Sequence, residues 1–188
     1  MTAASEFERA LKIFAGEVNN NAKKVLGRRT IGKNKKYGEA SGKLRKSLAF
    51  KVTKSGKQTQ IKFGSPLKYA AFIHWGVNGT SRNRGAPYSY SNKQPPTSAI
   101  LKWMKLKPVR LRDASGKFVR QTDSAMNSAA FNIARSIKRN GIAGLKYYEK
   151  AYLETLPKAT AKLGEAFVKD LSARLFADVG NYKNITIK

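Results

Sequence analysis

The 188-residue sequence has no cysteine, one histidine and 11 Asp or Glu, and no apolar run approaches the ~20 residues of a membrane span. Without cysteine there are no disulfides, thiolate nucleophiles or thiolate metal sites, which fits a reducing cytoplasm. A catalytic triad, a His-rich metal site or a histidine general base would each have to use His74. A lone histidine inside an apolar segment is ordinarily a packed structural residue. The acids are dispersed and form no DxD or ExxxD pair, so a basic nuclease would lack its metal ligands. The N-terminal stretch MTAASEFERALKIF carries Glu6 and Glu8 and no basic region, so no secretion signal is expected.

What the chain has in excess is positive charge. Lys and Arg total 38, for a net +27. Between Lys23 and Lys62 there are 14 Lys or Arg and a single acid, Glu39. Such an excess repels itself unless a polyanion or an acidic partner compensates, and it exceeds what solubility requires. Two readings stand beside each other: a solvated face with a basic linker, or contact with DNA phosphates or an acidic subunit. Sequence-specific base reading is not expected, because no helix-turn-helix, zinc-finger or ribonucleoprotein motif is present. Tyr88 and Tyr90 with Arg82 and Arg84 could stack on a single strand, but tyrosines of a protein interface are the preferred reading.

Phe7, Leu11, Phe14, Val18, Ala22 and Val25 recur at spacings of three and four and predict a helix that stops near Gly27. Residues 28–42, rich in glycine and lysine, read as a mobile basic loop, with Ser41 capping a short helix through Ser47. Leu48, Phe50 and Val52, then Thr59, Ile61 and Phe63, alternate with polar residues and predict a hairpin around Ser55 to Lys57. YAAFIHWG, Tyr69 to Gly76, predicts a short helix. Residues 77–94 read as a flexible surface loop. Gly76, with Gly79, Thr80, Arg82, Arg84 and Gly85 of this loop, lacks the Walker ending of a phosphate cradle.

Pro95, Pro96 and Thr97 open a helix to about Lys105, with Thr97 capping and Ile100, Leu101 and Met104 inward. A second, basic hairpin is expected around Asp113 to Gly116, carrying Arg110, Arg112, Lys117 and Arg120. Met126, Ala130, Ile133 and Ile137 mark a helix ended by Asn140 and Gly141. A last helical stretch starts near Leu145, where Pro157 should kink or divide it and Leu163, Phe167, Leu171 and Leu175 form a stripe. Tyr147, Tyr148 and Tyr152 cannot all face one way on a helix. The expected whole is one α+β domain, residues 1–179, with a tail at 180–188. It is a small, mostly antiparallel sheet flanked by an N-terminal helix and a long C-terminal helical segment.

The order SGKLRKSLAFKV, YAAFIHWG, a glycine-rich loop and then AFNIARSIKRNGIAGLKYYEKAY resembles the head–tail joining and tail-completion proteins of tailed bacteriophages. The likeness covers roughly Ser41 to Leu175. Members often carry an acidic residue where this chain has His74, a departure that keeps the packing role and puts in doubt any salt bridge made there. The resemblance implies a non-enzymatic virion protein, a neck or tail-terminus ring subunit assembled in the host cytoplasm. Its partners would be copies of itself in a ring, six-fold by expectation, the portal, neck and tail proteins, and transiently the phage DNA. No cofactor, metal or membrane is implied. Candidate partner or DNA contacts are Lys33, Lys35, Lys36, Arg82, Arg84, Arg110, Arg112, Lys117 and Arg120. Candidate packing or interface residues are Tyr69, His74, Trp75, Tyr147 and Tyr148. The alternative is a non-specific architectural nucleic-acid-binding protein.

Overall fold

The computed structural model describes residues 5–27, 41–55, 58–106 and 109–181, with 174–181 given by backbone alone. The described residues form an α+β fold of six helices and two small antiparallel sheets. The helices are α1 (Glu6–Gly27), α2 (Lys43–Ser47), α3 (Ala70–Trp75), α4 (Thr97–Leu106), α5 (Asp123–Asn140) and α6 (Tyr147–Asn181). The strands are β1 (Ala49–Ser55), β2 (Gln58–Gly64), β3 (Gly76–Val77) and β4 (Ile142–Ala143); β1 pairs with β2 and β3 with β4. None of the helices is long and apolar enough to cross a membrane. Contacts group the chain into two compact units. Met1–Val25, Leu48–Gly64 and Tyr148–Lys188 form the first, and Leu26–Ser47 with Ser65–Tyr147 the second.

In the first unit, the apolar face of α1 meets α6. Phe14, Val18 and Ala22 are buried as the spacing predicts, and Ala15 and Asn19 join them. From α6 come the buried Ala151, Thr155 and Ala159, and rings meet across the pair, Phe7 with Phe167 and Phe14 with Tyr152. Burying a Phe or Val contributes roughly 1.5–3 kcal/mol each. The two helices run antiparallel. Glu6 and Phe7 at the start of α1 each donate a backbone N–H to the Asp170 carboxylate at 3.0 Å, late in α6. Ser5 Oγ accepts from the Glu8 N–H, so three of the orphan amides of α1 are satisfied.

The two buried polar residues of this unit, Asn19 and Thr155, have partners, as burial requires. Asn19 donates to the Leu48 carbonyl and accepts from the Tyr148 hydroxyl. Thr155 donates to the Ala151 carbonyl and accepts from Asn21 Nδ2. The β1–β2 hairpin pairs in register from Ala49↔Gly64 to Ser55↔Gln58. Its half-buried Phe50, Val52, Ile61 and Phe63 alternate with exposed Lys51, Gln60 and Lys62. Phe63 lies 5.2 Å from the Tyr148 ring.

Of the two outcomes expected at Pro157, a kink or a division, the division does not occur: α6 is one helix through the proline. The proline is exposed, and the carbonyl it leaves without a donor belongs to Leu153, whose side chain is 62% exposed. Water on that side can replace the missing bond. The helix also continues to Asn181, two residues into the expected tail.

In the second unit, α4 and α5 pack with Met104 against the face carrying Ala130 and Ala134. Thr97 does not cap α4. It is the first helical residue, and the Pro96 carbonyl accepts from Ala99 and Ile100 instead. Thr122 caps α5 by accepting from the Ala125 N–H, and Gly141, at φ 66°, ends it with a bond to the Ile137 carbonyl.

Candidate interaction surface

Two short segments of the second unit meet backbone to backbone. β3 and β4 pair as Gly76↔Ala143 and Val77↔Ile142, with glycines at both ends of each segment. A Cβ on Gly79 would lie 2.1 Å from the Arg139 carbonyl oxygen, and one on Gly141 2.2 Å from that of Val77. On Gly76 and Gly144 the nearest backbone atoms would be 2.5 and 2.4 Å away. Only glycine permits this approach, and Gly76 also sits at φ 86°. The junction continues past β4. Leu145 and Lys146 donate to the Ile73 and His74 carbonyls and satisfy the end of α3.

This junction holds α3 in place and turns three aromatics outward. Tyr69, Phe72 and Trp75, spaced three apart, are 43%, 41% and 47% exposed. Behind them Ala70 and Tyr147 are buried. His74 is packed, with its ring edge-on to Trp75 at 4.6 Å and to Tyr147 at 4.7 Å. The Tyr147 hydroxyl donates to the Ala70 carbonyl at 3.4 Å, and burial pushes this phenol up to about 12, so it remains a donor. Phe72 meets Tyr88 edge-on at 4.7 Å.

The loop after β3 is a structured cap, not the flexible segment expected. Asn78 organises it. Its Oδ1 accepts the Arg84 and Ala86 amides at 2.7 and 3.0 Å, and its Nδ2 donates to the Ala86 carbonyl. Thr80 and Ser81 then donate to the Lys138 and Arg139 carbonyls, and Arg84 Nε to that of Asn140. These are the orphan carbonyls at the end of α5. Arg84 therefore has a capping role, while Arg82 is exposed.

The second basic hairpin forms around one bridge, Arg112↔Phe118, flanked by Asp113 N–H to the Lys117 carbonyl and Val119 N–H to that of Leu111. Arg110, Arg112, Lys117 and Arg120 are all exposed on it. The Asp113 carboxylate closes the turn, accepting from the Ser115 hydroxyl at 2.7 Å and the Lys117 N–H at 2.9 Å. Those bonds, the Ser115 one foremost, hold its carboxyl below the usual carboxylate range.

The structure thus brings His74, Trp75 and Tyr147 together, leaves Tyr69 and Trp75 exposed, and places Tyr148 in the first unit. Lys33, Lys35 and Lys36 lie outside the described residues. Phe72 and Phe118 were not singled out from sequence; the three-residue spacing from Tyr69 to Phe72 to Trp75 was the signal for the former. Elsewhere, in the first unit, α1 and α6 bound a groove of about 440 Å³ lined by Ile13, Phe14, Asn20, Lys158, Lys162 and Leu163. Among the described residues no group of three or more His, Asp or Glu is placed to hold a metal ion. Comparison with family models, curated proteins and solved structures finds no match to this chain.

Proposed function

We propose that this chain is a structural subunit of a tailed-phage virion, one protomer of a neck or tail-terminus ring. The ring joins the capsid portal to the tail and forms part of the DNA passage. The observation that carries this reading is the outward row Tyr69, Phe72 and Trp75 on a helix locked at its end by the glycine junction. Rigid exposed aromatics mark surfaces that a protein partner covers. The same segment carries the sequence resemblance. The protein acts by burying interfaces in the virion and not by catalysis, and needs no cofactor. Copies of the chain meet head to tail, with about six closing a ring. The second unit holds 23 Lys or Arg against 3 Asp or Glu, a net +20. Like-to-like contact of that unit would set cation against cation, which favours the head-to-tail arrangement.

That charge also favours a second reading, a non-specific architectural nucleic-acid-binding protein. Quantitative mass spectrometry of virions separates the two. Copies per particle matching a closed ring, about six, are expected. The double substitution Phe72→Ser and Trp75→Ser should abolish ring assembly while the protein stays folded. One or two copies per particle, or none, would end the ring reading.

A further inference from the structure

We infer that one face of the hairpin from Val109 to Gln121 is a preformed contact for the phosphate backbone of duplex DNA. The argument starts from register. Arg112 pairs with Phe118, and continuing the ladder places Arg120 opposite Arg110. Alternation along each arm then puts Arg110, Arg112, Phe118 and Arg120 on one face, while Leu111 and Val119 take the other. Leu111 is half-buried and the four residues of the first face are exposed.

On that face the guanidinium carbon of Arg112 lies 3.9 Å from the centre of the Phe118 ring and that of Arg110 5.5 Å away. Arg112 also donates to the Gly116 carbonyl at 2.6 Å. The ring and the turn therefore hold two planar cations in fixed positions. Phe118 is 55% exposed, so the arrangement is not a consequence of burial.

Like charges opposite each other on a hairpin are destabilising, and the extended register of the Arg112↔Phe118 bridge makes Arg110 and Arg120 such a pair. The one acid on the hairpin, Asp113, is engaged with Ser115 and Lys117 in the turn. A polyanion laid along this face relieves the repulsion, and the guanidinium fork suits phosphate oxygens. The Phe118 ring, already under a guanidinium, serves the arginines and is not an open stacking platform for single-stranded bases. A duplex backbone is the polyanion that needs no stacking.

The test uses the full chain and a short random-sequence duplex, with affinity followed by fluorescence anisotropy across a salt series. Each phosphate contact contributes about 0.9 to the slope of log affinity against log salt. The combined variant Arg110→Gln, Arg112→Gln, Arg120→Gln should lower that slope by about 2–3 and weaken binding at least ~10-fold at fixed salt. A control of equal charge loss on α6, Lys158→Gln, Lys162→Gln, Lys169→Gln, should change both far less. Phe118→Leu keeps every charge and should weaken binding a few-fold with the slope nearly unchanged, because the guanidiniums lose their support. Equal losses in the hairpin and control variants would overturn the inference. So would an unchanged DNA slope with lost binding to poly-glutamate, which assigns the face to an acidic protein. A hairpin effect seen on single strands and absent on duplex overturns it as well. The assay reads single chains, so its outcome is separate from that of subunit counting for the ring.

Discussion

In the first unit, α1 meets α6 through side chains, Phe7 on Phe167 and Phe14 on Tyr152; in the second, Gly76 and Gly79 lie against Gly141 and Gly144. One closure consists of side chains and the other of main chain. Side-chain packing loses stability in proportion to the atoms removed, because neighbours relax in part. Main-chain packing has no such gradation, since there is no rotamer to change and a Cβ at 2.1 Å has nowhere to go. Charge follows the same division. The first unit carries 15 Lys or Arg against 8 Asp or Glu, a net +7, beside the net +20 of the second. The unit with the rigid junction is therefore also the one with most to gain from an anionic or acidic partner.

Substitution at the junction is expected to have the largest effect. Gly79→Ala sets a methyl against Arg139 and Gly141 backbone atoms and should cost about 4 kcal/mol or more, enough to unfold the second unit. Hydrogen exchange at residues 77–90 and 138–147 should lose its protection. Retained protection with a loss under about 1 kcal/mol would break the contrast between the two closures. In the first unit, Phe14→Ala should cost about 3 kcal/mol, graded by how far the site collapses, with Phe14→Leu costing distinctly less. Exchange along α1 reports it, and an all-or-none response to both substitutions would make the units alike.

The smallest effect belongs to Asp113. Its carboxyl lies below the usual range when folded, so its bonds steady the turn above that range and are lost as pH falls through the folded value. The Lys117 amide resonance should therefore titrate with a midpoint below that of an unperturbed aspartate. A midpoint at or above the ordinary value would remove Asp113 from the turn.

Much of the first unit was legible because its signals are periodic. The spacing of Phe7, Phe14 and Val18 predicts α1, and alternation from Leu48 to Phe63 predicts the β1–β2 hairpin. At Pro157 the sequence leaves a kink and a division equally open, and α6 is not divided there, since a proline signal carries no information about which side of a helix faces water. The second unit was legible in its elements and less so in its connections. Gly76, Gly79, Gly141 and Gly144 are visible as letters, but only the fold places GVNG against GIAG. Arg84 reads from sequence as a candidate partner or DNA contact because nothing local places the end of α5 beside it. Phe118 drew no notice because its role depends on the register that brings Arg112 across from it.

The carboxylate that caps the first turn of α1 is 164 residues downstream of Glu6. In chain order, most of the residues of the second unit come after α1 and before α6. On a ribosome making 5–20 residues per second, α1 therefore waits on the order of 10 s for Asp170, while the segment from Ser65 to Tyr147 is complete before α6 emerges. Non-local closure of this kind is slow and leaves an apolar face uncovered in the meantime. During synthesis the amphipathic face of α1, with Phe7, Leu11 and Phe14, is the surface a chaperone would meet first.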